Sequence, residues 1–332
     1  MDTRQIVLAS RPKGKPTIDN FRFESITLPE MQKGEVELEG LFYSVDPYMR
    51  GRMNDAKSYA PPFQLDQPIE GAVIAKVINS LSPGLKRGDI VSGRLPWREQ
   101  TIICSRGLQI IEETALPLSY YLGVLGMTGL TAYFGLLDIG RPVAGETVVV
   151  SGAAGAVGIV VGQIARIHGC RVIGITGSDD KVRSLKNEFK FDDAINYKTT
   201  KDLKGEIARL CPKAVDIYFD NVGGDISDAV ISNINFHARI ALCGQISMYN
   251  STDIPVGPRI QPMLLTRSAL MQGFIVGNYQ ARFPEGIEKL TQWVKDDKIK
   301  FTETFDYGFD KLPAAFIGLF SGENTGKMIV EV

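Results

Sequence analysis

Histidine is scarce in this chain: His168 and His237 are the only two in 332 residues. A zinc-dependent oxidoreductase needs clustered Cys, His and carboxylate ligands, and Ser-His-Asp or Cys-His catalysis needs a base beside its nucleophile. His168 falls near an expected helix end and His237 in an expected connecting loop. Both read as structural or exposed, and no metal site is expected.

Cysteine is nearly as sparse. Cys104, Cys170, Cys211 and Cys243 show no C-x-x-C spacing, so they read as reduced, mostly buried thiols rather than a zinc or redox set. Met1-Asp2-Thr3-Arg4 leads into no apolar segment; no secretory signal is expected, and a cytoplasmic location fits. Charge of one sign is missing too: 37 basic against 38 acidic residues give a net charge of -1, no footprint for nucleic acid or an anionic membrane. Long apolar runs are broken. Leu116 to Leu137 is interrupted by Pro117, Gly123, Gly126, Gly129 and Gly135, and Thr147 to Ala165 changes period midway, so neither is expected to span a bilayer.

What is present is the composition of a globular protein, 44% hydrophobic and 23% charged. The length exceeds the roughly 250–300 residues at which single cores stop growing, so two domains are expected. From Glu35 to Ile111 short strands and turns dominate: Glu35–Tyr43 alternates, Ile69–Ile78 is β-branched, and Lys86-Arg87-Gly88-Asp89 turns into Ile90-Val91. This is β-barrel-like. The pattern turns helical from Pro117 to Asp138, and strands and helices then alternate at the spacing of a doubly wound α/β sheet.

The expected strands are Val148–Val150, Val172–Thr176, Ala194–Asn196, Val215–Phe219, Arg239–Cys243 and Leu270–Val276. The expected helices are Val157–Ile167, Lys181–Glu188, Lys201–Leu210, Ile226–Ile234 and Pro284–Val294. That is a Rossmann domain over 124–296, with a first domain over 1–123 rejoined by about 297–332.

The sharpest local signal is Val148-Val149-Val150-Ser151-Gly152-Ala153-Ala154-Gly155-Ala156-Val157-Gly158: a strand, a glycine-rich turn and an amphipathic helix. Gly155 lets backbone approach a pyrophosphate, Gly158 lets the helix pack on the sheet, and the helix start offers unpaired N–H groups. Ala153 replaces the first glycine of the usual fingerprint. The second strand ends Ile175-Thr176-Gly177-Ser178 without a carboxylate for a ribose hydroxyl, and Lys181 and Arg183 follow. NADPH is therefore preferred over NADH. Asp179 and Asp180 read as first-turn carboxylates favoured by the helix dipole. Without metal, hydride addition to a conjugated C=C bond needs hydrogen-bond donors for the enolate, and Tyr48, Tyr59 and Tyr249 lie in polar, Gly- or Pro-flanked contexts.

Ser44-Val45-Asp46-Pro47-Tyr48-Met49-Arg50, Gly126-Met127-Thr128-Gly129-Leu130-Thr131-Ala132-Tyr133, the Ala153–Gly158 turn, Phe219-Asp220-Asn221-Val222-Gly223-Gly224 and Gly273-Phe274-Ile275-Val276 together resemble one family. It is the leukotriene 12-hydroxydehydrogenase / 15-oxoprostaglandin 13-reductase (alkenal double-bond reductase) group of zinc-independent medium-chain dehydrogenases/reductases. The resemblance implies a GroES-like β-barrel substrate domain beside the Rossmann domain. It implies that Gly155, Ala156, Val157 and Gly158 cradle the pyrophosphate of NADPH, that Lys181 and Tyr197 hold its 2′-phosphate, and that Asn221 contacts it. Met127, Thr131, Cys243, Gly244, Tyr249, Phe274, Ile275, Val276 and Asn324 would complete the cleft, with Tyr249 near the nicotinamide. Tyr48, Arg52 and Tyr59 would line the substrate side, Tyr48 and Tyr249 as catalytic groups.

Thr128 departs from the proline common in the family and puts the local turn in doubt. The implied activity is reduction of α,β-unsaturated aldehydes and ketones by a homodimer; quinone reduction and non-catalytic NADPH binding are the alternatives.

Overall fold

The computed structural model describes residues 2–112 and 116–332; Met1 of the leader reading lies outside them. The chain divides into two compact units, Met1–Leu122 with Thr304–Glu323 and Met328–Val332, and Gly123–Glu303 with Asn324–Lys327.

In the first unit β1 (Asp2–Leu8) and β2 (Phe21–Thr27) pair antiparallel, and β3 (Glu35–Ser44) begins the larger sheet. A single helical turn, α1 (Met49–Arg52), follows the Asp-Pro pair. Then come β4 (Glu70–Ser80), β5 (Ile90–Pro96), β6 (Gln100–Cys104) and β7 (Gln109–Ile110). β3 presents Val36, Leu38 and Tyr43 to the core. The Tyr43 ring is so close to Gly40 that a methyl there would lie 1.9 Å from its hydroxyl, which explains a glycine inside a strand. Gly88 turns the chain into β5 at φ +95°, a conformation that favours glycine.

The second unit opens with α2 (Met127–Phe134), which widens into a π-helical turn over Gly135–Gly140. The expected continuous helix from Pro117 is therefore composite: a 3₁₀ turn at Leu118–Leu122, a break, then α2. The break is built by Gly129, whose Cα lies where a methyl would meet the Val124 carbonyl at 1.8 Å. Thr128 closes the same turn, its Oγ1 donating to Gly123 O at 2.9 Å, so the position doubtful in the sequence is held by a hydrogen bond.

The alternation continues through β8 (Thr147–Ser151), α3 (Ala156–Ile167), β9 (Arg171–Thr176), α4 (Asp179–Asn187), β10 (Asp193–Asn196), α5 (Leu203–Leu210), β11 (Val215–Asp220) and α6 (Gly224–Ile231). It ends with β12 (Ile234–Leu242), α7 (Gln261–Arg267), β13 (Leu270–Gly273) and α8 (Phe283–Lys295). The strands are parallel in the order β10-β9-β8-β11-β12-β13. This is the Rossmann order, with its topological switch between β8 and β11, where ligands bind beyond the strand ends.

Several boundaries differ from the sequence reading. The helix expected to reach Ile234 stops at Ile231, because Ile234 already starts β12. That strand begins five residues before Arg239: its register against β11 jumps from Val215↔Ile234 to Ile217↔Arg239, and the bulge carries His237 at φ +58°. His237 thus belongs to a strand, not a loop. The last strand ends at Gly273, leaving Phe274–Val276 beyond the sheet, and α4 and α5 start at their caps, Ser178 and Asp202.

The chain end supplies β14 (Glu303–Tyr307), α9 (Leu312–Gly318) and β15 (Lys327–Glu331). β15 pairs antiparallel with β3, completing the order β14-β15-β3-β4-β5-β7 with β6 also on β3. Phe309, Leu312 and Phe316 join Phe21 and Trp97 in the first unit's core. Among the described residues no helix is long and apolar enough to cross a membrane. All four cysteines are free thiols, but only Cys170 and Cys211 are buried; Cys104, at the end of β6, is exposed.

Candidate active site

The glycine-rich turn is shaped by backbone crowding. Gly152 takes φ +59°, so the left-handed residue of the turn precedes Ala153. Ala153 is fully buried with its methyl against β9, where Gly174 leaves room: a methyl on Gly174 would come within 3.0 Å of it. The departure from the fingerprint is absorbed by that neighbouring glycine. A methyl on Gly158 would lie 2.4 Å from the Gly152 carbonyl, and one on Gly155 3.2 Å from it. Gly155 caps α3, accepting the Ile159 N–H, and the N–H groups of Ala156, Val157 and Gly158 form the first turn without intrahelical acceptors. Asn324 sits beside this turn: Gly326 N–H donates to Ala154 O at 2.8 Å, and Asn324 Nδ2 donates to Gly326 O at 2.8 Å.

At the tip of β9, Ser178 Oγ accepts the Lys181 N–H. Lys181 is half-buried, and burial, then the nearby Lys198, lower its proton affinity. Tyr197 packs over Gly177, its Cε1 3.2 Å from where a methyl would stand. The two acids point elsewhere, Asp179 accepting Asn196 Nδ2 at 2.6 Å and Asp180 pairing with Arg183. Arg183 is spent on that pair.

The switch point is organised by Asp220, fully buried at the end of β11. Its Oδ1 accepts from Ser151 Oγ (3.0 Å), Tyr218 OH (2.8 Å), Val222 N (3.0 Å) and Gly223 N (2.9 Å). Its carbonyl accepts the N–H groups of Cys243 and Gly244 at 2.9 and 3.0 Å. Asn221 Nδ2 donates to Ser151 O at 2.8 Å. Beyond β12 and β13 an open cavity of about 470 Å³ is lined by Leu242, Cys243, Gly244, Gln245, Tyr249, Gly273, Phe274, Ile275 and Asn278. Val276 is not among these; it starts the next 3₁₀ turn. Phe274 is seated where a methyl on Gly135 would lie 2.3 Å from its ring. Tyr249 OH accepts the Gln245 N–H at 3.3 Å, and burial raises its pKa, so the phenol keeps its proton to donate. Met127 is 36% exposed on α2, while the Thr131 hydroxyl is occupied by Met127 O at 2.7 Å.

The first unit holds Tyr48, Arg52 and Tyr59. Tyr59 is 62% exposed, and Tyr48 is half-buried against the core, burial raising its pKa. Arg52 is only 5% exposed: Nε donates to Pro61 O at 2.9 Å and the guanidinium lies 3.9 Å from the Phe63 ring centroid. It shapes the Pro61–Phe63 loop from inside.

Residues 4–111 match the family model for the N-terminal domain of oxidoreductase, and 156–292 the model for zinc-binding dehydrogenase. The Bacillus subtilis protein YfmJ, provisionally described as an NADP-dependent oxidoreductase, is 55% identical over 331 residues, covering 99% of this chain and 97% of its own. This chain belongs to the zinc-independent medium-chain dehydrogenase/reductase family. The NADP⁺-dependent 2-alkenal reductase of Nicotiana tabacum is 40% identical over 100% of this chain and 98% of its own. Among solved structures, CurA from Vibrio vulnificus in complex with NADPH superposes with TM-score 0.94 at 43% identity, over 99% of both chains.

Within this medium-chain dehydrogenase/reductase the turn, Lys181, Tyr197, Asn221 and the Cys243–Tyr249 segment come together in one unit. Residues to which the sequence reading gave no role are Asp220 and Ser151, which organise the switch point, Asn278, which lines the cavity, and Lys198 at the strand tip. Asp220 carried a signal, a carboxylate directly after the buried run Ile217-Tyr218-Phe219; Asn278 and Lys198 carried none.

Proposed function

We propose that the enzyme uses NADPH to reduce the C=C bond of α,β-unsaturated aldehydes and ketones. The substrate class is carried by one observation, near-full-length relatedness to a 2-alkenal reductase at 40% identity. The cofactor fits this chain's own geometry, since the glycine turn packs α3 closely against the end of β8 and the first N–H groups of that helix, Ala156, Val157 and Gly158, have no intrahelical acceptors.

When bound, NADPH supplies the hydride that adds to the β-carbon. The N–H groups of Ala156, Val157 and Gly158 hold the pyrophosphate, and Lys181 and Tyr197 the 2′-phosphate. Asn221, Met127, Thr131, Cys243, Gly244, Phe274, Ile275, Val276 and Asn324 bound the cleft. Tyr249 donates its phenol proton toward the carbonyl oxygen as enolate charge develops, its own oxygen steadied by the Gln245 N–H. Tyr48 is assigned as a second phenol and Tyr59 as a lining group on the substrate side, and Arg52 holds the Pro61–Phe63 segment.

The active form in this account is a cytoplasmic homodimer. Four free thiols suit a reducing compartment, and β13 ends its sheet as an unpaired edge beside exposed Leu265, Leu270 and Ile275. Turnover of NADPH with medium-chain 2-alkenals tests the activity, and failure on every enone offered would refute it.

A further inference from the structure

Gly177 and Ser178 form the bare tip of β9, and the segment after β10 closes over them. A methyl on Gly177 would lie 3.3 Å from Cε of Lys198, next to the Tyr197 ring at 3.2 Å. The last methylene of Lys198 therefore rests on the glycine, and its ammonium, one bond further, stands at the tip. From the other side comes Lys181 in the first turn of α4, its N–H held by Ser178 Oγ at 3.3 Å. The two ammonium groups sense each other, since Lys198 contributes to the lowered proton affinity of Lys181. Of the two acids that open α4, Asp179 is bonded to Asn196 and Asp180 to Arg183. Two cations crowded on an uncharged strand tip make a site for a group of more than one negative charge, and a phosphate monoester carries about −1.5 to −2 at neutral pH.

We propose that Lys198 is a second direct ligand of the cofactor's 2′-phosphate, sharing that dianion with Lys181 and setting much of the selectivity for NADPH over NADH. This rests on the NADPH assignment above. The two lysines differ in setting. Lys198 is exposed and Lys181 half-buried, so the share of Lys198 is the one that salt screens.

The test is the Kd of NADPH and of NADH for the full chain, at low and high salt, in the wild type, Lys198→Gln, Lys198→Arg and Lys190→Ala. Lys190 lies beyond the opposite end of α4 and controls for overall charge. Lys198→Gln is expected to weaken NADPH about five- to twentyfold, to leave NADH within about twofold, and to flatten the salt dependence of NADPH binding. Lys198→Arg should restore most of the affinity, and Lys190→Ala should change neither cofactor. Equal weakening of both cofactors, no weakening, or the same loss in Lys190→Ala would overturn the role of Lys198 while leaving a wild-type preference for NADPH intact. A wild type that binds NADH as tightly as NADPH would overturn the cofactor assignment, and the proposal with it.

Discussion

Ser151 and Asp220 meet across the topological switch: Ser151 Oγ donates to Asp220 Oδ1 at 3.0 Å while accepting the Asn221 N–H at 2.9 Å. One hydroxyl thus ties the end of β8 to the loop after β11. Ser151→Ala leaves the Asn221 N–H without this acceptor and the carboxylate with one donor fewer. A loss of about 1–3 kcal/mol in stability is expected, read as a lower urea midpoint. Affinity for NADPH should fall with it, while kcat at saturating cofactor stays within about twofold.

Gly158 has no slack. Its would-be methyl meets backbone at 2.4 and 2.7 Å, not the end of a flexible side chain. Gly158→Ala must therefore push α3 away from the turn, and NADPH affinity is expected to fall more than about tenfold, with a melting temperature several degrees lower. Calorimetric titration with a thermal melt reads both.

Tyr249→Phe removes a proton donor and little volume. Turnover should drop about 10²-fold while NADPH affinity moves less than about twofold, measured by steady-state kinetics and direct titration. Its pH dependence has a definite sign. The neutral phenol is the active form and burial raises its pKa, so kcat stays flat through the neutral range. It falls only above the ordinary tyrosine value of about 10. A limb falling near neutrality would assign the proton to another group.

The thiols should react in a fixed order with a soft electrophile, which matters in an enzyme handling enones. Burial of the sulfur pushes Cys170 and Cys211 up to about 11 and, together with Asp220, pushes Cys243, a residue only partly exposed on the cavity wall, up to about 12, whereas Cys104 is exposed. The thiolate is the nucleophile, so Cys104 is labelled first at pH near 8 and Cys243 stays intact, as peptide mass mapping would reveal.

Much of this was legible in the residues, and the failures have physical causes. β8 and α3 were plain because a β-branched run, glycines and a 3.6-residue period sit side by side. The start of β12 was hidden because Asn235–Ala238 bulge out of register, with His237 at φ +58°, and a bulge erases the alternation that marks a strand. Tyr249 and Lys181 are proposed from resemblance and a bare strand tip. Arg52 is expected on the substrate side; its guanidinium lies buried on Phe63, and nothing in a sequence distinguishes an arginine that snorkels from one that is enclosed. Lys198 was passed over because its proximity to Gly177 is a tertiary fact.

The most direct measurement follows the transferred hydrogen. With NADPH deuterated at the nicotinamide C4 and a 2-alkenal as substrate, the product should be the saturated aldehyde, with deuterium at the β-carbon and the α-hydrogen taken from solvent. An allylic alcohol with deuterium on the carbonyl carbon, or NADPH oxidised only with quinones to give hydroquinone, would contradict the account.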